Sequence, residues 1–366
     1  MAILIGHAVN NSPDIRSNKR TRKLIDNDTY VGLEVELEGV KFNSEEVSAW
    51  CPLLQLVHDD SLRGDSGEII FSVPLRGNDV SVAVKAIESL LLKKKMRPIL
   101  SERLSVHVHL DMRDMEVDML KRFLATYLSV ERVLYHYCGH NRENNIFCVP
   151  MYKSSDTIDN IAILLETKTT GEFYNVLANY FGDSRRYGGL NLAALLAHGS
   201  IEFRMMRGLW RKQDILNWIN IILSIKKYAI KVAEGSISYP SHVYAENSLS
   251  FLNDVFGKYS QDLMYQGVET DIVKGARNTQ DLCLSCTHKD ISWDVIALSN
   301  KSNLCLPRKE EDDAEEKTPT SSTNSIQFTN NPWSTLVQPV GAPDMPTFKA
   351  FINAVNADID PPIDEF

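Results

Sequence analysis

No stretch of this sequence stays apolar for the roughly 20 residues that a membrane-spanning helix requires. The first ten residues, MAILIGHAVN, lack both a basic leading segment and a proper apolar core, so no signal peptide is expected and the expected location is the cytoplasm. Two further absences narrow the chemistry. Neither G-x-G-x-x-G nor G-x-x-x-x-G-K-[ST] follows a strand pattern, which removes both common nucleotide-binding loops. No serine or cysteine stands in a nucleophile motif. The six cysteines are scattered through 366 residues and form no disulfide framework. Cys283-x-x-Cys286, with His288 and Cys305 beyond, begins like a zinc site, but the second pair is missing. Reduced thiols are the expectation and zinc the alternative.

A surplus of positive charge is also lacking. The net charge is −9, and from Pro307 onward there are 4 basic and 11 acidic residues, a balance of −7. The rest of the chain carries −2. The acidity belongs to the tail, and nothing here provides the basic face that nucleic-acid binding needs.

What is present is a soluble-protein composition with ample apolar residues for a buried core. Residues 1–28 read as a polar lead-in, residues 29–300 as the main body, and residues 301–366 as an acidic, largely disordered tail containing RKEEDDAEEKTPTSSTNS. The last segment, PTFKAFINAVNADID, has the makings of a short helix that docks on the body or on a partner protein.

Within the body, YVGLEVELEGV from Tyr30, DSGEIIFSVPL from Asp65, Leu104–Met112 and GSIEFRMM from Gly199 read as strands. Helical spacing covers Asn78–Met96, Met115–Tyr137, Thr157–Phe181 with a break near Gly171, and Ser248–Tyr265. A further helix is expected from Asp214, taken as its N-cap, to about Ala233. Helices inserted among strands, without a repeated βαβ pattern, favour an α+β fold with an antiparallel sheet.

Three strands share an unusual feature. Glu34 and Glu36, His107 and His109, and Glu202 and Arg204 each stand at i and i+2. Such residues point to one face of a strand. A solvated face ordinarily mixes Lys, Thr, Ser and Glu, yet Lys is absent from all three segments. Carboxylates with imidazole suit Mg²⁺ or Mn²⁺, and arginine is a planar clamp for phosphate. Glu68, opening a strand after a glycine turn, completes the carboxylate set.

The ordered series G-L-E-V-E, D-D-S-L with G-E-I-I-F-S-V-P-L, S-V-H-V-H-L and H-G-S-I-E-F-R-M-M-R-G resembles the amidoligase family, a branch of the glutamine synthetase and γ-glutamylcysteine ligase superfamily. The resemblance covers residues 28–235. It implies a curved antiparallel sheet of glutamine synthetase catalytic-domain type and an ATP-dependent carboxylate–amine ligase working through an acyl phosphate. By the same resemblance Glu34, Glu36, Glu68, His107 and Glu202 are metal ligands, His109 lies toward the nucleotide phosphates, and Arg204 contacts the transferred phosphoryl group. D-D-S-L is similar to a segment that helps bind the amine. Asp60 and Ser61 are the matching positions, with Asp60 the candidate base and Asp59 its alternative. Arg142 is expected to meet a carboxylate substrate. Arg185 and Arg186 either reach phosphates or lie in a solvated loop. Two other readings remain: a metal-dependent hydrolase using the same residues without ATP, and an inactive scaffold of the same fold.

Overall fold

A computed structural model describes residues 28–99, 101–139, 141–181, 187–233 and 247–285. The lead-in, the tail, Arg185, Arg186, Cys286, His288, Cys305 and the side chain of Cys283 lie outside the described residues.

The chain runs through β1 (Val31–Glu38), α1 (Ser44–Trp50), β2 (Leu54–Val57), β3 (Ser66–Phe71), α2 (Asn78–Lys93) and β4 (Ser105–Asp111). It continues through α3 (Val117–Cys138), α4 (Ser155–Glu166), α5 (Thr170–Tyr180), β5 (Leu190–Asn191), α6 (Ala194–His198) and β6 (Ser200–Arg207). Three helices follow: α7 (Lys212–Ala233), α8 (Ser248–Phe256) and α9 (Val268–Ser285). The strands form one open, antiparallel sheet in the order β2-β3-β1-β4-β6-β5. The fold is α+β, as the sequence pattern implies. No helix among the described residues is long and apolar enough to cross a membrane.

Alternation decides which side of the sheet is which. Leu33, Val35 and Leu37 of β1, Val106, Val108 and Leu110 of β4, and Ile201 and Phe203 of β6 are buried. They join one core with the apolar faces of α2, α3 and α7. Phe203 shows the anchoring most directly. Its ring meets Phe123 and Tyr127 of α3 edge-on at 6.2 and 5.9 Å, and Trp218 of α7 at 6.1 Å. Each such pair contributes about 0.5–1.5 kcal/mol beyond area burial. With Phe203 held in the core, the flanking Glu202 and Arg204 face the other side. There the glutamates and histidines gather.

Some boundaries differ from the sequence reading. The break in 157–181 falls before Gly171, because Thr169 caps α5 reciprocally with Glu172. Helix α7 starts at Lys212, so Asp214 lies in its first turn and is not its cap. The helix expected over Ser248–Tyr265 is α8 followed by a 3₁₀ stretch, Gly257–Leu263.

Candidate active site

The register of the sheet brings the separated motifs together. Glu68 of β3 stands opposite Glu36 of β1, Glu34 opposite His107 of β4, and His109 opposite Glu202 of β6. Glu202 in turn stands opposite Asn191 of β5. Five neighbouring strands thus contribute to one row of polar side chains. Between Val106 and Val108 the β4–β6 register shifts by one residue. Such a bulge re-aims a side chain, here in the stretch of β6 that carries Arg204.

Hydrogen bonds tie the row into a network. Glu34 lies between the two imidazoles, with Oε2 3.0 Å from His107 Nδ1 and Oε1 3.1 Å from His109 Nε2. Ser105 donates both its backbone N–H and its hydroxyl to Glu36 Oε2, each at 2.7 Å, and its oxygen lies 2.7 Å from His107 Nε2. His109 Nδ1 lies 3.2 Å from the Ser200 hydroxyl. Asn191 donates to Glu202 Oε2 at 2.7 Å, and Arg204 donates to Glu202 Oε1. Glu36, His107, His109 and Glu202 are all buried.

Three groups of side chains, which add Glu68 and Asp59 to members of this network, have ligand atoms within 4.8 Å of one another: Glu34, His109 and Glu202; Glu34, Glu68 and His107; and Glu36, Asp59 and Glu68. Glu34 and Glu68 each belong to two groups, so the three are contiguous. Carboxylate oxygens with imidazole nitrogens fit a Mg²⁺ or Mn²⁺ centre.

The electrostatics point the same way. Burial pushes Glu34 upward, but hydrogen bonds from His107 and His109 outweigh it and hold its carboxyl well below the usual range. Glu202 is likewise raised by burial and lowered further by the Arg204 and His109 charges. Glu68 goes the other way. Burial, then the charges of Glu34, Glu36, Asp59 and Glu202, drive it well upward. That shift registers a local excess of negative charge, which a divalent cation would offset.

The residues read from sequence divide into three sets. Glu34, Glu36, Glu68, His107, His109, Glu202 and Arg204 are brought together. Asp60 is not: its side chain is 98% exposed and pairs with His58 at 3.0 Å. Asp59 enters the cluster instead. The reason is a local turn after β2, in which Asp59 Oδ1 accepts the Ser61 N–H at 2.7 Å. That bond sends Asp60 to the tip and leaves Ser61 exposed, its carbonyl accepting from Arg103 at 2.8 Å. Arg142 is buried and donates to four backbone carbonyls: Met205 at 2.9 Å, Glu102 at 3.0 Å, Leu104 at 3.3 Å and Arg204 at 3.0 Å. It braces β6 against the segment leading into β4, and most of its donors are spent.

Sequence reasoning passed over Ser105, Ser200 and Asn191. The first two carried a signal, since each stands two residues before a member of the row on its own strand. Asn191 carried none, because a two-residue strand has no periodicity. His198, whose ring centroid is 6.1 Å from that of His109, is held down to about 4 by burial and the His109 charge.

Residues 68–226 match the family model described as "Putative amidoligase enzyme". The match contains Glu68, His107, His109, Glu202 and Arg204, whereas Glu34, Glu36 and Asp59 precede it. No curated protein matches the chain.

Proposed function

Taking residues 68–226 as the amidoligase-family part of this chain, we propose that it is an ATP-dependent carboxylate–amine ligase with a glutamine synthetase-type catalytic sheet. The observation that carries this reading is the juxtaposition of three contiguous ligand groups, two of carboxylates with imidazole and one of carboxylates alone, with Arg204 on Glu202. Glu34, Glu36, Glu68, His107 and Glu202 would hold Mg²⁺ or Mn²⁺, with Asp59 beside them. Bound there, the cations neutralise phosphate charge.

A carboxylate is a poor electrophile at neutral pH. In the proposed reaction one of its oxygens attacks the γ-phosphorus of ATP, the bond to the β-phosphate oxygen breaks, and ADP leaves. The amine nitrogen then attacks the acyl carbon. The carbon–oxygen bond to phosphate breaks, phosphate departs, and the nitrogen gives up a proton as the amide forms. Phosphoryl transfer depends mainly on positioning and charge stabilisation. Arg204 supplies planar donors where charge develops on the transferred group. His109, packed beside Glu34 and Ser200, faces the phosphates. Asp59, the alternative to Asp60 that joins Glu36 and Glu68, would receive the amine proton. Arg142 holds the backbone of Arg204 and so acts through it.

The test is a screen of amino acids and acidic peptides for substrate-dependent ADP release with Mg²⁺ or Mn²⁺, followed by mass spectrometry of the product. Product formed with loss of water and with stoichiometric ADP supports the ligase. Cleavage of an amide without ATP would establish the hydrolase instead, and metal binding without turnover on any substrate would establish the scaffold.

A further inference from the structure

Arg103, just before β4, meets a carbonyl and a ring but no carboxylate among the described residues. Its Nη2 donates to the Ser61 carbonyl at 2.8 Å, and its Cζ lies 5.6 Å from the centroid of the Phe147 ring. Its Nε is buried with no hydrogen-bond partner among the described residues. The acids beside it in the chain and on the Ser61 turn are engaged elsewhere. Glu102 accepts from Asn141, Asp60 pairs with His58, and Asp59 accepts the Ser61 N–H. A buried donor without an acceptor is costly, and a guanidinium is suited to a planar anion such as a carboxylate.

Both contacts of Arg103 are with residues that border the site. Ser61 belongs to the turn that carries Asp59 into the group with Glu36 and Glu68. Phe147 offers its carbonyl to Arg204 Nε at 3.5 Å. The guanidinium groups of Arg103 and Arg204 thus flank one residue. The backbone on either side of Arg103 is pinned. The Glu102 carbonyl accepts from Arg142 at 3.0 Å and from Asn145 at 2.7 Å, and the Leu104 carbonyl accepts from Arg142 at 3.3 Å. A donor held in place before its ligand arrives loses less freedom on binding. Arg142, spent on carbonyls, therefore steadies an arginine that can still take an anion. Arg103 itself is only half-buried, so a small anion can approach it.

We infer that Arg103 binds a second anionic group of the carboxylate substrate, so that the acyl donor is a diacid. The carboxylate to be activated lies with the cations and Arg204, and Arg103, across Phe147, takes the other charge. The inference rests on the ligase reading in naming the ligand a substrate. Binding of a diacid is measurable without ATP.

The probes are glutarate and pentanoate, which share a chain length and differ by one carboxylate. Binding to the full chain in Mg²⁺ is followed by saturation-transfer NMR. Glutarate is expected to bind at least about tenfold more tightly than pentanoate. Arg103→Gln should weaken glutarate binding at least about fivefold and leave pentanoate and a nonhydrolysable ATP analogue at wild-type affinity. If that variant folds poorly, Arg103→Lys takes its place, with an expected loss for glutarate of at least about threefold. Equal binding of the two probes by the wild type overturns the inference. So does wild-type glutarate affinity in the folded variant: a lowered melting temperature beside it would make Arg103 structural, and weaker binding of the ATP analogue beside it would turn Arg103 toward the nucleotide. Glutarate binding that depends on Arg103, with no ATP-dependent turnover on any substrate, supports the diacid site and counts against the ligase reading.

Discussion

Arg204 and Glu202, two residues apart on β6, form an ion pair on the site face, and Arg204 Nε also donates to the Phe147 carbonyl at 3.5 Å. The arginine thus rests on a carboxylate proposed to bind metal. A cation that engages Glu202 would weaken this pair and turn the guanidinium toward a phosphoryl oxygen. Arg204→Lys keeps the charge and loses the two-point planar geometry. The expected outcome is a kcat at least about tenfold lower, on the order of 1.4 kcal/mol of transition-state stabilisation. Affinity for a nonhydrolysable ATP analogue should fall much less. A lowered melting temperature with unchanged kcat per folded molecule would make the pair structural.

The buried carboxylates predict stabilisation by metal. A ligand at about 100 times its Kd adds about 2.7 kcal/mol to the stability of the state that binds it. Mn²⁺ should therefore raise the melting temperature of the wild type, and a chelator should reverse the rise. Glu34→Ala removes the residue that two of the ligand groups share. It should abolish most of the Mn²⁺ effect and the activity while the metal-free circular dichroism spectrum stays native. A full Mn²⁺ shift in this variant would exclude Glu34 from the site.

Glu131 of α3 offers a pH test remote from the cluster. It is fully buried and accepts hydrogen bonds from the Tyr127 hydroxyl at 2.9 Å and from the Met151 and Tyr152 N–H groups at 2.8 and 3.2 Å. Burial nevertheless raises it from 4.5 to about 7. A carboxyl raised on folding gives stability that is complete below the unfolded value and is lost as pH climbs through the folded one. The loss should run from about pH 4.5 to just above 7 and amount to about 3 kcal/mol. Glu131→Gln cannot titrate. The stability of the wild type relative to this variant should decline over that window and then level off, as read from urea unfolding at stepped pH. A difference independent of pH would contradict the assignment.

Arg142 separates bracing from substrate binding. Arg142→Lys leaves carbonyls of Met205, Glu102, Leu104 and Arg204 short of donors. A buried group left unsatisfied costs about 1–3 kcal/mol. The variant should melt several degrees lower, and its kcat should fall through displacement of Arg204. A raised KM for the carboxylate at unchanged stability would restore the substrate role.

The strands carrying the site were legible because one face of each had to be apolar, so i and i+2 fixed the company of every ionisable residue. That logic reached Glu34, Glu36, His107, His109, Glu202 and Arg204 and extends to Ser105 and Ser200. It could not reach β2, whose four residues show too little periodicity, nor α1, seven residues held by the Asn43 cap. Helix α9 was hidden for another reason. Its sequence is poor in apolar residues, and its position depends on close approach: a Cβ on Gly275 would lie 2.2 Å from the Ser129 carbonyl oxygen of α3. Local propensity does not contain that contact. Gly189 is similar, since a Cβ there would meet the Tyr135 hydroxyl at 1.9 Å.

Asp59 and Asp60 make the sharpest test of register, because they are adjacent and chemically identical. Asp59 is half-buried, accepts the Ser61 N–H, and has a carboxylate oxygen within 4.8 Å of ligand atoms on Glu36 and Glu68. Asp60 faces solvent beside His58. Exposed pairs of that kind contribute at most about 1 kcal/mol, so Asp60→Asn should change neither activity nor melting temperature appreciably. Asp59→Asn keeps the shape of the side chain, and its amide oxygen can still accept from Ser61. What it removes is negative charge and basicity. Turnover should fall at least about tenfold, and Mn²⁺ should bind more weakly. Recovery of activity at saturating Mn²⁺ would mark Asp59 as a metal ligand, whereas a deficit that persists there would mark it as the base. The reverse order, with Asp60→Asn inactive and Asp59→Asn active, would place the β2–β3 turn the other way round.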